Sequence, residues 1–194
     1  MKIEKSQIAE LPLETFPGKI VVVDNVAGVQ AAVDYLSHFS PIGFDTETKP
    51  AFQRGVIHKV ALLQLSTEDK CFLFRLNKIG YPDALDAIIC NADIQKIGLS
   101  LRDDFAAIRK RVATAPDNFL DLQSFVKQFD IEDLSLQKIY ALIFGKKLSK
   151  NQRLSNWGAP YLTPAQQSYA ALDAWACLRI YNYLNATKNH SINL

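Results

Sequence analysis

The feature that most constrains the fold is a pair of short apolar runs separated by a few polar residues. Lys59-Val60-Ala61-Leu62-Leu63-Gln64-Leu65-Ser66 is followed by Thr67-Glu68-Asp69 and then by Cys71-Phe72-Leu73-Phe74. Runs of this length and composition, joined this closely, read as an antiparallel hairpin. The chain upstream adds a β-branched strand, Ile20-Val21-Val22-Val23, and a helix over 27–39 in which Val29, Ala32, Val33 and Leu36 recur at helical spacing until Ser40-Pro41 ends it. A strand at Ile42-Gly43-Phe44-Asp45-Thr46-Glu47 and a loop with Pro50 and Gly55 complete the first part.

Downstream, helices over 83–90 and 103–111 alternate with strands over 95–99 and 119–122. From Ser124 the pattern becomes helical: a helix over 134–144 closes at Gly145, and Thr163-Pro164 opens a long helix to about Leu184. The order implies an α/β fold, a mixed central sheet flanked by helices. With 194 residues, 48% of them hydrophobic, and no internal repeat, a single domain over 1–194 with its core at about 20–185 is expected.

Charge and cysteines narrow the setting. The 22 basic and 20 acidic residues leave a net charge of +2, so nucleic-acid contact would fall to local patches. Three cysteines without metal-ligand spacing read as reduced thiols. Residues 1–16 mix charges into their apolar positions, unlike a signal peptide, and no apolar run approaches the roughly 20 residues that cross a bilayer. A soluble, cytoplasmic protein without membrane association is expected.

Within Phe44-Asp45-Thr46-Glu47-Thr48, a strand's period of two puts both acids on one face. Two like charges on an apolar strand are costly unless cations neutralise them. Oxygen donors without nearby His or Cys suit magnesium or manganese better than zinc. The alternative is that the strand ends at Phe44 and the acids begin a solvated turn. Far downstream, Tyr169 and Asp173 of Tyr169-Ala170-Ala171-Leu172-Asp173 share a helix face, with Asp173 among apolar neighbours. Alone, they also fit the exposed stripe of an amphipathic helix.

Together these segments resemble the DEDD superfamily of 3′–5′ exonucleases in its tyrosine subclass, which includes ribonuclease D and the exonuclease domain of Werner-type helicases. Phe44-Asp45-Thr46-Glu47-Thr48 is similar to the family's first motif and Tyr169-x-x-x-Asp173 to its third. Lys96-Ile97-Gly98-Leu99-Ser100-Leu101-Arg102-Asp103-Asp104-Phe105 is similar to the second, with the family register choosing Asp104 and leaving Asp103 as a helix N-cap. The likeness spans roughly residues 21–183, through 59–65, Leu134-Ser135-Leu136 and Ser155-Asn156-Trp157.

The resemblance implies a ribonuclease H-like fold and a hydrolase that removes nucleotides from the 3′ end of DNA or RNA. It implies that Asp45, Glu47, Asp104 and Asp173 hold two divalent ions, Mg2+ or Mn2+, and that Tyr169 orients the attacking water. Thr46, Lys147, Lys150 and Arg153 are the candidate nucleic-acid contacts, the last three within a basic segment, residues 145–153, that also reads as a solvated turn. Trp157 reads as a packed anchor, Asp121 as a cap, Phe52 as loop packing, and Phe52 and Arg54 stay outside the site. The rivals are a nucleic-acid-binding module with little or no catalysis and another ribonuclease H-like nuclease.

Overall fold

A computed structural model of the chain describes residues 1–53 and 55–192, with side chains through residue 188; Arg54 lies outside the described residues. A short helix, α1 (Lys5–Ala9), opens a lead-in that precedes β1 (Lys19–Val23) and α2 (Val26–Leu36). β2 (Ile42–Thr48), β3 (Val60–Ser66) and β4 (Lys70–Phe74) follow, then α3 (Leu76–Ile79), α4 (Asp83–Ile89), β5 (Lys96–Gly98), α5 (Leu101–Arg109) and β6 (Phe119–Asp121). The chain continues through α6 (Leu122–Phe125), a 3-10 turn, α7 (Leu136–Phe144) and α8 (Pro164–Ile192).

Among the described residues six strands form one sheet in the order β1-β4-β3-β2-β5-β6. Among the described residues only β3 is antiparallel to its neighbours, β2 and β4, the β3–β4 pair being the expected hairpin, while β1–β4, β2–β5 and β5–β6 are parallel pairs. Every residue of β3 is buried, as a strand covered on both faces must be. Phe44, Leu63, Leu65, Phe72 and Phe74 turn to a core made with α2, α4 and α5. Leu62 and Leu73 turn the other way, onto α8 and Trp157.

Gly43 sets how closely α8 approaches β2, because a Cβ there would stand 2.0 Å from the Ala174 carbonyl oxygen. Glycine therefore permits the helix to lie directly on the strand that carries the first acidic pair. Around the contact α8 is buried almost continuously from Tyr169 to Leu178. A helix apolar on nearly every side belongs in an interior.

The start of α5 differs from expectation. The helix begins at Leu101, its N-cap is Ser100 in the left-handed region at φ 61°, and Asp103 is an exposed residue of the first turn rather than the cap. The reason lies outside the helix: Asp121, at the end of β6, accepts from the backbone N–H groups of Ser100 (3.1 Å) and Leu101 (3.0 Å). It also caps α6 by accepting from Gln123 N–H at 2.9 Å. Three N–H donors on one carboxylate hold the unfavourable Ser100 backbone in place. The long last helix also runs beyond the expected end near Leu184.

The lead-in is strapped to the rest of the chain. Lys147 N–H donates to the Pro12 carbonyl and Glu14 N–H to the Lys147 carbonyl, both at 2.9 Å. Buried Glu14 accepts from Tyr140 (2.7 Å), Lys146 (3.0 Å) and Arg179 (2.6 Å), joining α7, the basic segment and α8. Among the described residues no helix is long and apolar enough to cross a membrane.

Candidate active site

β2 and β5 run side by side with their carboxyl ends together, and the acids gather at that edge. Asp45 and Glu47 project from β2 toward α8, and Asp173 comes down from α8 to meet them. One carboxylate oxygen from each of the three lies within 4.8 Å of the others. The solvated-turn alternative for the acidic pair is excluded, because both residues lie inside β2 and both are partly buried.

Asp104 approaches from the opposite side. Thr46 points away from its two acidic neighbours, toward α5, where its hydroxyl donates to the Asp104 carboxylate. Half-buried Asp104 therefore stands beside the three-carboxylate group without being one of its members, whereas exposed Asp103 points to solvent. Thr46 enters the site as a donor to an acid, which leaves its hydroxyl oxygen as an acceptor for anything further.

Burial raises all four acids, and for Asp45 and Glu47 the neighbouring site carboxylates add to it. Asp45 is pushed well above the usual carboxyl value, by burial first and then by Glu47, Asp173 and Asp104. Glu47 is raised to about 9 by burial and by the charges of Asp173 and Asp104. Burial lifts Asp173 to about 7 against the opposing pull of the Tyr169 hydroxyl and of Lys150. Asp104 rises to about 6, burial again outweighing the Thr46 hydrogen bond. Clustered carboxyls that resist ionisation on their own form an all-oxygen donor set suited to a hard divalent cation.

Tyr169, one turn before Asp173, sets its hydroxyl against that carboxylate and pulls the Asp173 pKa down. Burial, then Asp173 and Glu47, hold the phenol above its ordinary value of 10. Behind it stands Trp157, fully buried as an anchor with its ring centroid 5.9 Å from that of Tyr169. A cavity of about 480 Å³ opens in front, lined by Tyr169 and Asp173 together with Leu99, Ser100, Leu136, Ser149, Lys150 and Arg153.

The basic segment divides. Lys150 and Arg153 line the cavity, but Lys147 donates its ammonium to the Ala9 carbonyl and Lys146 is paired with Glu14. Phe52 does not pack as expected; it is 82% exposed in the loop after β2. The sequence reading passed over Gln64, which stands opposite Asp45 on β3, is fully buried, and has neither amide atom hydrogen-bonded. A glutamine in the middle of an otherwise apolar buried strand was the available signal.

The 3′–5′ exonuclease family model matches residues 20–187. The mouse bifunctional 3′–5′ exonuclease/ATP-dependent helicase WRN is 32% identical over 199 residues, covering 94% of this chain and 14% of the relative. Across curated relatives the chain spans from 14% to 58% of their lengths. The crystal structure of the Aedes aegypti Nibbler EXO domain superposes with a TM-score of 0.81 at 27% identity, covering 91% of this chain and 93% of that one. Escherichia coli RNase D, an exoribonuclease involved in structured RNA processing, has the same fold at a TM-score of 0.78 and 22% identity, covering 89% and 46%. The fold is thus ribonuclease H-like, and with the acidic motifs on its β2, α5 and α8 elements the chain belongs to the DEDD 3′–5′ exonuclease family.

Proposed function

We propose that residues 20–187 work as one domain that hydrolyses nucleic-acid phosphodiester bonds from the 3′ end, using two divalent ions, Mg2+ or Mn2+. The observation that carries this reading is the three-carboxylate group of Asp45, Glu47 and Asp173 beside the cavity that Tyr169 and Asp173 share with Lys150 and Arg153. The donor set fits: all donors are oxygens, they converge, and burial leaves their charge in need of a counter-ion. Asp45, Glu47 and Asp173 would hold the ions with Asp104 as the fourth acid. Divalent ions in such a site lower the pKa of water and neutralise charge that develops on a phosphodiester.

The protein's own groups would do the rest. Tyr169 stays a neutral phenol at working pH, so it acts as a hydrogen-bonding group rather than an ionised base. With its O–H directed to Asp173, its oxygen keeps lone pairs to accept from the attacking water and fix its direction. Lys150 and Arg153 would meet phosphates of the strand entering the cavity. An intracellular, reducing compartment such as the cytoplasm accords with the free thiols Cys71, Cys90 and Cys177.

The test is degradation of DNA and RNA labelled at the 3′ or the 5′ end, with EDTA, Mg2+ or Mn2+. Release of labelled mononucleotide from the 3′ end, only with metal, is expected. Cleavage of a circular single strand would overturn the exonuclease reading in favour of an endonuclease on the same fold. Binding without hydrolysis would favour the binding module.

A further inference from the structure

Gln64 is a fully buried side chain whose amide nitrogen and oxygen both lack hydrogen-bond partners. A buried, unsatisfied amide is a cost that a folded chain ordinarily avoids, and β3 offers no compensation, since its other members are apolar apart from the terminal Ser66. Leucine or methionine would fill the same space at no such cost. A residue that breaks the local rule in a well-packed strand points to function.

The register shows which function. Gln64 on β3 is directly opposite Asp45 on β2, so the two side chains leave the sheet on the same face, with Cβ atoms typically about 4.5–5.5 Å apart. Its other cross-strand neighbour is Leu73, and the helix packed over that part of the face contributes Ala170, Ala171 and Ala174. Of Gln64's directly paired neighbours, only Asp45 has a side chain that can accept a hydrogen bond.

We propose that Gln64 is a positioning residue for Asp45, its amide N–H fixing one carboxylate oxygen so that the other is presented to a divalent ion. The inference rests on the reading that the acidic group holds such ions. A carboxylate that binds a cation through one oxygen needs a donor on the other to keep its orientation, and such outer partners sharpen metal binding. An unpartnered buried amide costs stability, whereas its bond to Asp45 would sharpen cation binding, so the two effects have opposite signs.

The test compares the wild-type chain with Gln64→Leu, Gln64→Met and Asp45→Asn. Thermal unfolding is measured in EDTA, and Mn2+ binding by titration calorimetry and by the electron paramagnetic resonance of free Mn2+. Both Gln64 variants should melt at or above the wild-type temperature in EDTA, yet bind Mn2+ at least about 10-fold more weakly, with turnover falling in parallel. Wild-type Mn2+ affinity in both variants would overturn the role of Gln64 while leaving the metal reading intact. A lower melting temperature in both would mark a structural amide and overturn it too. Absence of Mn2+ binding in the wild type, matching Asp45→Asn, would overturn the metal reading and the proposal with it.

Discussion

Thr46 and Asp104 are 58 residues apart in the chain, and the hydroxyl of the first donates to the carboxylate of the second. This bond crosses from β2 to α5 and draws Asp104 to the edge where the other acids stand. It also lowers the Asp104 pKa, which burial holds at about 6. Thr46→Val keeps the shape and removes the donor, so the Asp104 titration must move upward. Carboxyl 13C titration of the ion-free protein should find a midpoint above that of the wild type. Metal-dependent turnover should fall more at pH 6 than at pH 8. An unmoved midpoint would mean that the bond does not govern Asp104.

The whole acidic group makes ion-free stability depend on pH. A carboxyl whose folded pKa lies above its unfolded value binds more protons when folded, so its contribution is full below about 4 and is lost as pH rises through the folded value. Here those values are about 6 for Asp104, 7 for Asp173 and 9 for Glu47. Glu14 is shifted downward and acts only in acid, below its usual 4.5, while buried Lys96, lowered to about 8, acts in the opposite sense only from there upward. In EDTA the protein should therefore melt higher at pH 5.5 than at pH 7.5, and added Mn2+ should shrink or invert the difference. Identical melting curves at the two pH values would contradict the electrostatics of the site.

Replacing one acid by its amide should separate stability from activity. Asp45→Asn or Asp173→Asn relieves repulsion within the buried group, so melting in EDTA should rise or hold. Hydrolysis should fall by more than about 100-fold, because loss of a direct donor must exceed the 10- to 100-fold cost of losing an outer partner. Full activity in either variant would remove that residue from the site. Tyr169→Phe should lower turnover by about 100-fold with little change in KM, the pattern of a group that acts on water during the reaction. A rise in KM alone would make the hydroxyl a substrate contact.

Much of this site is legible in sequence because its key pairs are local. Asp45 and Glu47 are two apart on a strand, Tyr169 and Asp173 four apart on a helix, and each periodicity fixes a shared face without reference to the rest of the chain. The choice between Asp103 and Asp104 is different, since α5 starts where Asp121 on another strand makes it start. Local signals also cannot distinguish Lys147 from Lys150. That difference depends on the lead-in, whose backbone at Pro12 and Glu14 pairs with Lys147 from more than a hundred residues away. Gln64 escaped because its meaning lies in a cross-strand register, which no single strand displays.

The division of the basic segment leads to the last expectation. Lys150 and Arg153 line the cavity, while the ammonium of Lys147 is bound to the Ala9 carbonyl and that of Lys146 to Glu14. Each cation that meets a phosphate releases counter-ions, adding about 0.7 to the salt slope of binding for a single strand. Lys150→Ala and Arg153→Ala should each flatten the plot of log affinity against log salt by roughly that amount, weakening binding uniformly across sequences. Lys147→Ala should leave the slope unchanged and act, if at all, on thermal stability through the strap. A slope that responds to Lys147 and not to Lys150 would place the nucleic-acid path outside the cavity, along the lead-in.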